Sequence, residues 1–178
     1  MLKRGFLVLM LATGLAACDD DSPTAPADPN LAVFTAQLSA QNEVGGNTSA
    51  TTGFETGARG DVRIEFRLNR DAGNNVTGAT ATFIVNMTGF PTGSTWILAH
   101  IHRGLSGVAG GVEVNTGLTA ATGIPLLNGG ITGQRFENIA VDQSDTNEIL
   151  NNPNGFYFNA HTVLNPSGVM RGQLVRIQ

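Results

Sequence analysis

The feature that most constrains this chain is a series of short segments in which apolar and polar residues strictly alternate, each closed by glycine or asparagine. Between Gly60 and Leu68, Val62, Ile64, Phe66 and Leu68 share one parity, while Arg63, Glu65 and Arg67 share the other. A strand sends successive side chains to opposite faces, so this pattern describes a strand with one face in a core and one in water. Phe34, Ala36 and Leu38 against Thr35 and Gln37 repeat it, as do Ala79, Ala81, Phe83, Val85 and Met87 against Thr80, Thr82 and Asn86. Helical periodicity is nearly absent. Asp71-Ala-Gly73-Asn74-Asn75 lies between two of these runs and carries residues that tolerate positive φ, which makes strands 60–68 and 76–87 antiparallel neighbours. Trp96 to Ile101 is apolar on both parities, the mark of a central strand covered on both sides. Further strands are expected near 110–116, 131–141, 154–162 and 169–177, the last two joined by the Asn165-Pro166-Ser167-Gly168 turn. Residues 144–150 read as one short helical segment with Ser144 as its cap. The stretch from Val33 to Gln178 suits one domain with a sizeable core, an all-β sandwich or barrel.

The amino terminus has a different character. Lys3 and Arg4 precede Phe6 to Ala12, an apolar run too short to span a bilayer, which together read as an export signal. The run closes with Leu15-Ala16-Ala17-Cys18, which resembles the lipobox of bacterial lipoproteins. That resemblance implies cleavage after residue 17, acylation of Cys18 and anchoring to the bacterial cell envelope, with the membrane as a partner. Residues 18–31 follow as a lipidated cysteine and a disordered tether, small, acidic and proline-rich. Residues 32–178 are the folded domain. Loss of residues 1–17 leaves 8 basic side chains against 14 acidic ones, a net charge of about −6. An acidic surface of that kind excludes nucleic acid as a partner. Cys18 is the only cysteine, so no internal disulfide forms.

All three histidines fall in two short segments, His100-Ile-His102 and Asn159-Ala-His161-Thr162. On an extended strand His100 and His102 project side by side. With His161 they make a tris-imidazole set that suits zinc or copper with an open fourth position. The competing reading has the same imidazoles as buried hydrogen-bonding groups, tied to backbone carbonyls or to Glu43, and this structural role is preferred. Arg171 shares its parity with the apolar Val169, Val175 and Ile177, which points to a buried guanidinium in need of a carboxylate, with Glu43 as its partner in a structural polar pair. No nucleophile elbow or phosphate cradle is present, and Gly104 to Gly111 reads as a surface loop.

Phe34-Thr-Ala-Gln-Leu-Ser-Ala-Gln41-Asn-Glu43-Val44, Ala99-His100-Ile-His102-Arg-Gly104, Phe158-Asn-Ala-His161-Thr162, Asn165-Pro166, Gly168 and Arg171-Gly172-Gln173-Leu174 resemble, in order, the motifs of the CHRD domain. That domain is named for the animal protein chordin and also occurs in microbial secreted proteins. Gly45-Gly46 stands where the family often has prolines, and Tyr157-Phe158 where it often has tyrosine-valine. The resemblance implies an antiparallel, Greek-key-like β-sandwich of the immunoglobulin or superoxide dismutase kind and carries no general activity with it. A binuclear dismutase site needs more imidazoles than the three in this chain. The expected function is a non-catalytic, lipid-anchored envelope module that binds a macromolecular ligand or supports envelope structure without a cofactor. The alternative is a mononuclear metal protein that uses the three histidines.

Overall fold

The structure, a computed structural model, describes residues 28–44 and 55–178. The signal segment, Cys18 and the tether up to residue 27 lie outside the described residues. Among the described residues, ten strands and one α-helix follow in order: β1 (Leu31–Ser39), β2 (Arg59–Arg70), β3 (Val76–Thr88), β4 (Thr95–Arg103), β5 (Val112–Asn115), β6 (Ile124–Pro125), β7 (Gly130–Val141), α1 (Gln143–Asn151), β8 (Phe156–Thr162), β9 (Met170–Gln173) and β10 (Val175–Arg176). The described chain is all-β and antiparallel, as the alternation requires. No helix among the described residues is long and apolar enough to cross a membrane.

The strands β2 and β3 pair in one register from Arg59↔Thr88 to Asn69↔Gly78, with a shift of one residue before the last pair, Arg70↔Val76. Their connection is closed by Asp71, whose carboxylate accepts from the Asn75 backbone N–H at 2.8 Å, while Asn74 takes φ +66°. Asparagine enters that left-handed region more readily than most residues, which explains its place here.

The alternation allowed a sandwich or a barrel, and the hydrogen bonding runs through one continuous sheet. Its order is β5-β4-β8-β9-β1-β2-β3-β7, with β6 added to β4 and β10 to β1. The sheet curls into a nearly closed, barrel-like form whose distant strands meet across the core. Trp96 of β4 packs edge-on against Phe136 of β7 at 5.3 Å, and Phe83 of β3 lies 6.0 Å from Phe158 of β8. Phe34, Phe66, Ile64, Ile101 and Met170 complete the buried centre. Such aromatic pairs add about 0.5–1.5 kcal/mol each beyond burial.

Two local expectations are corrected. The helix begins at Gln143 and its cap is Asp142, not Ser144: Asp142 is extended, and its carboxylate accepts from the Asp145 N–H at 2.8 Å. The chain is still leaving β7 at Asp142, so that residue holds the cap position, and aspartate serves there as well as serine. The expected strand 169–177 is broken at Leu174, because β9 pairs with β8 while β10 pairs with β1. Val175 and Ile177 are consequently exposed. Along β4, an irregularity between Trp96 and Leu98 inserts Ile97 as an extra residue opposite β8. This bulge reverses the parity, so Trp96 joins Ala99 and Ile101 in the core while Leu98, His100 and His102 take the other face.

Candidate functional site

That other face carries the polar residues of interest. Asn115, His100, Asn159 and Arg171 stand in one row across β5, β4, β8 and β9 as direct partners. His102, Tyr157 and Gln173 form the next row. His161 stands opposite Leu98, diagonal to His100. Strand pairing therefore brings His100 and His161 together across 61 residues of sequence.

All three histidines are buried, His100 at 6%, His102 at 9% and His161 at 7% relative exposure. One donor atom from each ring lies within 4.8 Å of the others. His102 Nδ1 donates to the Gly110 carbonyl and His161 Nδ1 to the Pro166 carbonyl, each at 3.0 Å. A carbonyl only accepts, so each neutral ring carries its proton on Nδ1 and presents a lone pair at Nε2. His161 Nε2 receives Nδ1–H of His100 at 3.3 Å. His102 Nε2 is buried with no partner among the described residues.

Burial disfavours the charged imidazolium and lowers all three pKa values. His100 falls to about 4, through burial first and then its neighbours His161 and His102. The cluster is therefore a set of neutral imidazoles at pH 7.

The expected direct pair between Glu43 and Arg171 is not formed. Glu43 accepts from Asn159 Nδ2 with both carboxylate oxygens, each at 3.0 Å. Burial raises its pKa, with the Arg171 charge and the Asn159 hydrogen bond opposing. Gly168 is packed against this carboxylate so closely that a Cβ there would lie 2.7 Å from Glu43 Cδ. Arg171, 1% exposed, instead donates to the carbonyls of Val108 at 3.0 Å and Leu105 at 3.1 Å and to Gln173 Oε1. Its guanidinium lies 3.3 Å from the centroid of the Tyr157 ring, which stacks on His102 at 5.0 Å. Three charge-assisted bonds and a cation–π contact take the place of the carboxylate.

These contacts explain the Gly104–Gly111 segment. It is a surface loop, as expected, but Arg171, His102 and Gln173 hold its carbonyls at Leu105, Val108, Gly110 and Gly104, and Tyr157 Oη accepts from Gly110 N–H. The loop is thereby fastened beside the histidines.

Sequence reasoning gave no role to Tyr157, Asn159 or Gln173. The signal for the first two lay in β8, where Tyr157, Asn159 and His161 share one parity among apolar neighbours. It also missed Glu55, 1% exposed, which accepts from Ser94 Oγ at 2.6 Å and from Thr162 Oγ1 and Asn165 Nδ2 at 2.5 Å. Glu55 fastens the turn whose Pro166 carbonyl orients His161.

Among protein families, the model described as the CHRD domain matches residues 34–174. No curated protein and no solved structure matches the chain.

Proposed function

The chain belongs to the CHRD domain family, and from that premise we propose that it is a non-catalytic module of the bacterial cell envelope, anchored through acylated Cys18, that binds a macromolecular ligand or supports envelope structure. The observation that carries the anchoring is the order of features at the amino terminus: Lys3 and Arg4, the apolar Phe6 to Ala12, then Leu15-Ala16-Ala17-Cys18 and a proline-rich acidic stretch. A cysteine at that place after an export signal is the acceptor expected for lipid, and several acyl chains anchor where one alone binds only marginally. The non-catalytic reading is supported by the family and by the way the conspicuous polar groups of the domain are consumed. Glu55 is saturated by Ser94, Thr162 and Asn165, and Arg171 by loop carbonyls and Gln173. The mature net charge of about −6 favours a ligand other than nucleic acid.

Fractionation of cells tests the anchor. The parent protein should stay with membranes through a high-salt wash, while Cys18→Ser should fail to label with a fatty-acid analogue and should leave the membrane fraction. Retention of Cys18→Ser after the wash would overturn the proposal.

A further inference from the structure

We propose that His100, His102 and His161 form a mononuclear site for zinc or copper(II), with a fourth coordination position left for water or an exogenous ligand. The proposal goes beyond the envelope-module reading and does not depend on it.

Four observations converge. First, the distances suit a metal. Zinc–imidazole bonds run about 2.0–2.1 Å, so two nitrogens on one tetrahedral ion stand about 3.3–3.4 Å apart. His100 Nδ1 and His161 Nε2 are 3.3 Å apart, with a single proton between them. A metal takes the place of that proton, and the ligand atom of His102 lies within 4.8 Å of the other two. Second, His102 Nε2 is a buried lone pair with no partner among the described residues. Buried polar atoms are rarely left unpaired, and one that adjoins two other imidazoles calls for an explanation. A metal ion supplies it.

Third, the rings are already oriented. Metal-bound imidazoles almost always donate their second N–H to a carbonyl or carboxylate, which fixes tautomer and direction. The Gly110 and Pro166 carbonyls do this for His102 and His161. Both rings therefore present Nε2 before any ion arrives. Fourth, Asn159, the direct strand partner of His100, has a buried Oδ1 with no partner, an acceptor available to a metal-bound water.

The chemistry of the donors selects the ion. Three neutral nitrogens and no carboxylate at the cluster disfavour calcium and magnesium, which require oxygen ligands, and suit zinc and copper(II). The nearby Arg171 charge works against any cation, so affinity comes from chelation by three lone pairs.

The test uses full-length protein carrying Cys18→Ser, which removes the only thiol, purified in detergent and stripped with a chelator. Calorimetric titration with Zn²⁺, and separately with Cu²⁺, should give one equivalent per chain. The substitutions His102→Gln and His161→Gln, each checked for folding by circular dichroism, should weaken binding by about 100-fold or more, since even loss of an orienting partner costs up to that factor. Absence of stoichiometric binding in the parent overturns the proposal without reference to any variant. Stoichiometric binding that survives replacement of all three histidines overturns it equally.

Discussion

Arg171 is anchored by geometry that only a guanidinium supplies. Its planar fork reaches the Val108 and Leu105 carbonyls at once while the same plane lies over Tyr157. Lysine keeps the charge but has neither the fork nor the flat face. Arg171→Lys should therefore lose one charge-assisted bond and the stacking, and destabilise the domain by about 2–3 kcal/mol in urea denaturation. Proteolysis should also begin within residues 104–111, because the carbonyls that hold that loop are released. A stability change below about 0.5 kcal/mol, the size of an ordinary surface substitution, would show that the guanidinium is not the fastening.

At the scale of elements, the junction of β5, β4 and α1 is a cluster of charge. Arg103 of β4 pairs with Glu113 of β5 and Glu148 of α1, and lies over Phe156. Asp145, in the first turn of α1, has its pKa raised from the usual 3.8 to about 6, by burial first and then by Asp142 and Glu113, with Arg103 opposing. A carboxyl that holds its proton more tightly folded than unfolded weakens the fold as pH rises through that window. The penalty is absent well below 3.8 and complete above about 6. Asp145→Asn imitates the protonated form. Near pH 4 the two proteins should be close in stability, and by pH 8 the variant should be more stable by up to about 1 kcal/mol, a value kept small because the site is partly exposed and screened. Denaturant melts at both pH values decide it, since a pH-independent difference contradicts the account.

For the whole molecule the decisive place is the seam where β9 meets β1. Only Ser39↔Arg171 pairs there, and β10 extends the join through Phe34↔Arg176 and Thr35↔Val175. At this seam a Cβ on Gly172 would lie 2.1 Å from the Gln37 carbonyl oxygen. Backbone cannot retreat from such a clash without parting the two halves of the sheet. Gly172→Ala should therefore cost more than about 3 kcal/mol or prevent folding, while Gly111→Ala, whose Cβ would meet nothing within 4 Å, should stay within about 0.5 kcal/mol. Thermal melts of the two variants should differ accordingly. Equal melts would mean that the seam yields more easily than its geometry implies.

What the sequence determined by itself is local. The β2–β3 hairpin, the expected strands, the helix near 144–150 and the shared face of His100 and His102 follow from a period of two and from turn residues, signals written within a few positions. The helix cap was missed by two residues, since Asp142 and Ser144 are both competent and the end of β7 decides between them. Tertiary structure alone decided that one continuous sheet carries all the strands, that Ile97 bulges and turns the histidines away from the core, and that His161 meets His100. It also decided how Arg171, His102 and His161 are satisfied. Their acceptors are backbone carbonyls at Leu105, Val108, Gly110 and Pro166. Every residue carries the same carbonyl, so no side-chain pattern announces which of them a fold will bring into reach.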